Sequence, residues 1–284
     1  MKNNKMSYND FKELLSDYLD SLGEGSAKIT NMKKINADYE GITIEGSNAK
    51  PVFNIGALYE ALDEFPLPAI FAMIRKEIEN AKRMDDTIEQ LKDYSWAKNN
   101  LFIRLSNKDR NEELLKEVPY RVIADDLVVT YHVKLASKNG ELASTTVSEK
   151  LMDSWGVTED ELHDDAVKSG TKMFLPVVSS LGRFVGLTES ASGAYVITNE
   201  KGVNGAAAIV YPGVLEDLRK EIGEDFYVLP ASINECIAVR KDDRSPELFR
   251  DMVRAINSVP DLVGDDIFLS DNIYEYSKGK LVRV

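Results

Sequence analysis

The run Asp126-Leu127-Val128-Val129-Thr130-Tyr131-His132-Val133-Lys134-Leu135, followed by Asn139-Gly140 and then Leu142 to Val147, decides the fold class of this chain. β-Branched and aromatic residues dominate the first run, and Asn-Gly takes up positive φ at low cost. The two runs therefore read as antiparallel strands joined by a tight turn. Directly afterwards the pattern becomes helical, first around Glu149 to Ser154. The capping box Thr158-Glu159-Asp160-Glu161 then opens another helix, which Gly170 is expected to end. A short helix over Asn111 to Lys116, stopped before Pro119, precedes the strands. The local order is helix, strand, strand, helix.

The same order recurs outward in both directions. Phe11, Leu14, Leu15, Tyr18, Leu19 and Leu22 share one helical face, with Ser7 as its cap and Gly23 as its stop. An edge strand over Lys28 to Ile35 follows, then a hairpin of Gly41–Glu45 and Pro51–Ile55 around Gly46-Ser47-Asn48-Ala49, then a helix from Gly56 to about Glu64. A longer helix starts near Pro68 with its stripe at Ile70, Phe71, Ile74, Ile78, Ala81, Ile88 and Leu91. Leu101 to Leu105 reads as a strand.

Towards the C-terminus, Ala194 to Thr198 is a strand and Pro212 opens a helix that runs to Gly223. Phe226–Leu229 and Glu235–Arg240 are strands. A helix capped by Ser245 is expected to bury Leu248, Phe249, Met252, Val253 and Ile256. Ile273–Tyr276 and Leu281–Val284 form a closing hairpin around Lys278-Gly279. The fold class is α+β: antiparallel hairpins flanked by helices, with three related αββα units near 7–64 (with one extra strand), 109–168 and 212–258. Helix–hairpin–helix order also arises by chance in α+β proteins. The corresponding division is 1–95, 96–190 and 191–284, with no low-complexity linker between the parts, so they can pack as one body.

Composition narrows the class of function. The 284 residues are 43% hydrophobic and 29% charged, as in ordinary globular proteins. With 35 basic and 48 acidic residues the formal charge is -13, a field that opposes nucleic acid and anionic lipid. An acidic mimic of nucleic acid would need carboxylates in regular rows, and here they are scattered. The apolar stretches around Ala69–Ile74 and Ala206–Tyr211 are too short for a bilayer, and no apolar signal core follows Met1. A cytoplasmic protein is expected, with no membrane and no nucleic acid as partner.

Few residues suggest chemistry. Cys236 is the single cysteine, in a strand-like run, and is read as a buried structural thiol. Of the two histidines, His132 is read as packed in mid-strand and His163 as solvated on an acidic helix. No histidine metal spacing and no EF-hand loop is present, and no metal is expected. Asp125-Asp126 and Asp265-Asp266 fit solvated strand and turn ends. Gly182–Gly186 and Gly202–Gly205 lack a nucleotide fingerprint and a Walker lysine, so no cofactor is expected. Gly202 to Ala207 instead suggests a tight turn where backbone approaches backbone. The polar loop Pro230-Ala231-Ser232-Ile233-Asn234-Glu235 lies between two apolar strands. Ser232, Asn234 and Glu235 could there present a hydroxyl, an amide and a carboxylate together, or Ser232 and Asn234 could hold the turn.

Several segments together carry a family resemblance. They are Asn111-Glu112-Glu113-Leu114-Leu115, Val118-Pro119-Tyr120-Arg121, Trp155-Gly156-Val157, Asn204-Gly205-Ala206-Ala207, Tyr211-Pro212-Gly213, Tyr227-Val228-Leu229-Pro230 and Leu269-Ser270-Asp271. Over nearly its whole length the chain resembles the uncharacterised bacterial family catalogued as domain of unknown function 5688. In that family the loop after Leu-Pro usually reads Ser-Ser-Ile-His-Glu. Here Ala231 and Asn234 replace the first serine and the histidine, while Ser232 and Glu235 match. The resemblance brings no activity with it, and the missing histidine weighs against catalysis. The expectation is a non-catalytic interaction or regulatory protein with a protein partner. The alternative is a hydrolase using Ser232 and Glu235 with help from Asp126 or Tyr211.

Overall fold

The computed structural model describes residues 6–45, 51–82, 85–138, 141–184, 193–241, 245–259 and 262–284; the turns expected at 46–49 and 139–140 lie outside them. The chain divides into two compact units, Met1–Leu91 and Lys92–Val284.

In the first unit, α1 (Tyr8–Ser21) starts where the Ser7 hydroxyl accepts the Asp10 N–H at 3.2 Å, and it buries Phe11, Leu15 and Leu19 from one face. β1 (Ser26–Lys34) pairs antiparallel with β2 (Ala37–Glu45) along its whole length, the chain reversing at Asn36 with φ +60°. The expected pairing of Gly41–Glu45 with the segment after Pro51 is present as β2 with β3 (Val52–Asn54), and the sheet order is β1-β2-β3. α2 (Ile55–Glu60) follows, capped by Asn54; a 3-10 turn (Ala61–Asp63) leads to α3 (Leu67–Lys82), and α4 (Asp85–Gln90) comes next. Ile70, Ile74 and Ile78 of α3 complete a core with α1, Ile42, Ile44 and Ile55. Each such side chain removed from water contributes roughly 1.5–3 kcal/mol.

The second unit holds two antiparallel sheets. α5 (Tyr94–Ala97) leads into β4 (Leu101–Asn107), almost wholly buried. Where one helix over Asn111–Lys116 is expected, the chain makes two 3-10 turns, Asp109–Asn111 and Leu114–Lys116; Pro119 follows too closely for a longer α-helix. β5 (Tyr120–Ala124), β6 (Leu127–Lys138) and β7 (Glu141–Thr146) complete the first sheet, with β6 paired to β4, β5 and β7. α6 (Glu149–Trp155) ends at Gly156 with φ +68°, and the Thr158–Glu161 capping box opens α7 (Glu159–Met173). Gly170 does not end this helix, contrary to expectation. It lets α7 lie against β4, where a Cβ would stand 3.3 Å from Phe102 Cα.

β8 (Pro176–Ser180), α8 (Leu181–Phe184) and β9 (Ala194–Asn199) precede a buried 3-10 segment, Gly205–Val210, and α9 (Val214–Ile222). β10 (Phe226–Ser232) and β11 (Glu235–Arg240) form the expected hairpin, and α10 (Pro246–Asn257) follows. β12 (Tyr274–Ser277) and β13 (Lys280–Arg283) turn through Lys278 and Gly279, both at positive φ. The six-stranded sheet runs β13-β12-β10-β11-β9-β8. The order α9-β10-β11-α10 matches the expected αββα unit directly. The first stretch has its expected extra strand, the middle stretch adds β5, and the three hairpins belong to three different sheets.

Candidate functional site

In the polar loop between β10 and β11, Ser232 and Asn234 bond the surrounding backbone. The Ser232 hydroxyl is buried and accepts the Asn234 N–H at 3.1 Å, closing a local turn. The Asn234 side-chain oxygen accepts the Asn204 N–H at 3.0 Å, and its carbonyl accepts the Thr198 hydroxyl at 2.8 Å. Ile233 bonds in both directions, accepting from Ala206 N–H at 3.1 Å and donating to the Ile267 carbonyl at 2.9 Å. Gly205 is needed for this approach, because a Cβ there would stand 2.2 Å from Thr198 Oγ1 and 2.3 Å from the Asn234 carbonyl oxygen. The tight turn expected at Gly202–Ala207 is therefore present, and Asn234 is what holds it. Ser232 and Glu235 face each other as a register pair at the hairpin end.

Of the helpers considered for this loop, Asp126 has other partners. Asp126 is not a solvated strand end but is 6% exposed. It accepts from Asn107 Nδ2 at 3.0 Å, from the Ser270 hydroxyl at 2.7 Å and from the Tyr274 hydroxyl. Asn107 Nδ2 also donates to the Leu269 carbonyl at 3.0 Å, so this network ties β4 and β6 to the segment before β12. Burial and the Asp126 carboxylate push the Tyr274 hydroxyl above the usual phenol range. Tyr211 is buried too, and its hydroxyl lies where a Cβ on Gly170 would stand 3.1 Å away.

The hydrogen bonds of both histidines stay within the first sheet and α7. His132 is buried as expected, 2.9 Å from Thr130 Oγ1 and 3.4 Å from Thr146 Oγ1; burial, aided by Arg104, holds it well below the usual imidazole range. His163 is half-buried rather than solvated, because Tyr131 Oη hydrogen-bonds its Nδ1 at 3.2 Å. Its burial and the nearby Arg121 guanidinium lower its pKa. Cys236 is fully buried, and burial drives its thiol pKa upward, against nucleophilic use. Among the described residues, no group of three or more His, Cys, Asp or Glu is placed to hold a metal ion.

A different surface emerges at α10. Of the five apolar residues expected to face inward, only Phe249 and Val253 are buried; Leu248, Met252 and Ile256 are 46%, 48% and 46% exposed. The apolar arc of this helix is wider than the strip that the sheet covers. Phe249 and Val253 settle on Tyr227, Leu229 and Val239, and the row at i, i+4 and i+8 stays on the flank. Beside that flank lies an apolar cavity of about 270 Å³, walled by Met252 and Ile256 of α10, Leu229 and Ala231 of β10, Ile237 of β11 and Leu181 of α8. The strength of the helical periodicity was visible in the sequence. What it concealed was how little of the arc a neighbouring sheet can cover.

No helix among the described residues is long and apolar enough to cross a membrane. Neither a curated protein nor a solved structure matches the chain. A family model does match, over residues 8–278, which takes in both units and every segment of the resemblance: the chain belongs to DUF5688, a family of unknown function.

Proposed function

We propose that this is a non-catalytic cytoplasmic interaction protein that receives an apolar segment of a partner protein along the flank of α10. The observation that carries this reading is the exposed row Leu248, Met252 and Ile256 beside the apolar cavity. Apolar residues scattered singly over a surface need no explanation, but a row in register with a cavity marks a contact surface. The row spans about 12 Å along the helix, the reach of two turns of a partner helix laid in the groove. The cavity is smaller than the usual small-molecule site of roughly 300–1,000 Å³, and it suits one anchoring side chain. The commitment of Ser232 and Asn234 to holding backbone supports this reading over a hydrolase.

A photo-crosslinking residue at position 252, in the full chain expressed in its own host, tests the proposal. The same polypeptide should be captured in replicate cultures and lost when Ile256→Lys is added. Absence of any reproducible polypeptide crosslink at 252 would overturn the reading.

A further inference from the structure

Away from α10, four lysines of the second unit converge on one concavity of about 450 Å³: Lys98 after α5, Lys134 of β6, and Lys168 and Lys172 of α7. The same concavity is lined by Asn99 and Ser169, and its one carboxylate, Asp165, accepts the Tyr94 hydroxyl at 2.9 Å. What sets the arrangement apart is convergence. Six other lysines sit on acids, as in Lys12–Glu40, Lys28–Glu45, Lys82–Glu24, Lys116–Glu113, Lys220–Asp217 and Lys241–Glu275, and others such as Lys34 and Lys201 meet a ring or a carbonyl instead. None of the four lysines has an ion-pair partner among the described residues, although the chain carries an excess of acid.

Four ammonium groups around one concavity repel one another, and an anion between them removes that cost. We infer that this concavity is a binding site for a small, multiply charged phosphate-bearing anion. Lysine serves such a ligand as a point charge on a flexible stem, without the fixed fork that arginine offers to a single carboxylate. Asn99 and Ser169 add a neutral amide and a hydroxyl for the remaining oxygens. The volume falls within the range of small-molecule sites. Size also separates a small anion from a nucleic acid. At physiological salt the Debye length is about 8 Å, so a compact ligand senses chiefly the local lysines, while a long polyanion must also lie along the acidic surface around them.

Isothermal titration of the full chain with pyrophosphate, with inorganic phosphate alongside, tests the site. Saturable binding of one pyrophosphate is expected, tighter than phosphate and weakening as salt rises. Lys168→Gln and Lys172→Gln should each weaken it about fivefold, and the double variant more. Lys98, Lys168 and Lys172 are exposed, so these variants should melt at the wild-type temperature without ligand. Lys116→Gln with Lys220→Gln makes the same change in net charge elsewhere and should leave binding intact. No saturable pyrophosphate binding, or equal loss in that control, would overturn the assignment.

Discussion

The Ser270 hydroxyl donates to Asp126 at 2.7 Å, joining residues 144 positions apart and fixing the segment before β12 to the start of β6. With the Asn107 amide and the Tyr274 hydroxyl also directed at it, the buried carboxylate organises the junction of the two sheets. Hydrogen bonds to a charged group are worth roughly 1.5–3 kcal/mol each, and a donor stranded in the interior costs about 1–3 kcal/mol. Asp126→Ala should destabilise the second unit by about 3 kcal/mol or more. Ser270→Ala, which removes one donor and leaves the others, should cost about 1–2 kcal/mol. Urea midpoints of the three proteins check the ranking; a neutral Asp126→Ala would show that the carboxylate holds nothing together.

The fold disfavours the protonated form of both histidines, and that gives stability a defined dependence on pH. Unfolded, each has a pKa near 6.5. Folded, His132 lies well below that value and His163 below it. As pH falls through about 6.5 the unfolded chain takes up protons that the folded chain refuses, so stability declines. The slope is at most about 1.4 kcal/mol per pH unit for each histidine. The decline should begin before the carboxylates lowered in the fold, among them Glu40, Glu161 and Asp225, are protonated in either state. Urea midpoints measured between pH 7 and pH 5 should fall for the wild type and fall less steeply for His132→Gln. Parallel slopes would mean that His132 titrates normally.

Elements that depend on local patterns were legible in the sequence. The Ser7 and Thr158 caps, the β10–β11 hairpin and the positive-φ turn at Lys278–Gly279 follow from neighbouring residues alone. Features set by distant partners were not. Asp126 looked like a strand end because Ser270 and Tyr274 lie far along the chain, and His163 looked solvated because Tyr131 is on another element. β5 escaped because its short run after Pro119 becomes a strand through pairing with β6. The lysine concavity is assembled from three segments, of which only Lys168 and Lys172, one helical turn apart, show any relation in sequence.

Gly170 and Gly205 should respond differently to alanine. At Gly170 the new methyl would stand 3.1 Å from Tyr211 Oη and 3.3 Å from Phe102 Cα, contacts that small shifts can relieve. The helix would also gain up to about 1 kcal/mol of intrinsic propensity. At Gly205 the methyl would stand 2.2 Å from Thr198 Oγ1 and 2.3 Å from the Asn234 carbonyl oxygen, far inside van der Waals contact, and both atoms are fixed by their mutual hydrogen bond. Gly205→Ala should therefore cost about 3 kcal/mol, the upper end of overpacking penalties, and Gly170→Ala about 1 kcal/mol or less. Thermal unfolding of the two variants separates them; equal shifts would mean that the loop at Asn234 yields as readily as the α7–β4 contact.

Neighbouring residues Met252 and Val253 offer the sharpest test of which side of α10 belongs to the core. Val253 is 5% exposed and packed among Tyr227, Leu229 and Phe249, while Met252 is 48% exposed on the flank. Removing the Val253 methyls would leave a void in packed surroundings, at about 2 kcal/mol. Met252→Lys would put a charge where water already reaches and replace one good helix former by another, changing stability by no more than about 0.5 kcal/mol. The asymmetry matters for function because it uncouples binding from folding. If Met252→Lys leaves the urea midpoint unchanged, the flank does not hold the core, and loss of the position-252 crosslink in an Ile256→Lys variant that also keeps its midpoint reports on the contact surface itself. If Met252→Lys instead destabilises the chain as much as Val253→Ala, the flank is structural, and the apolar row exists to hold α10 rather than to receive a partner.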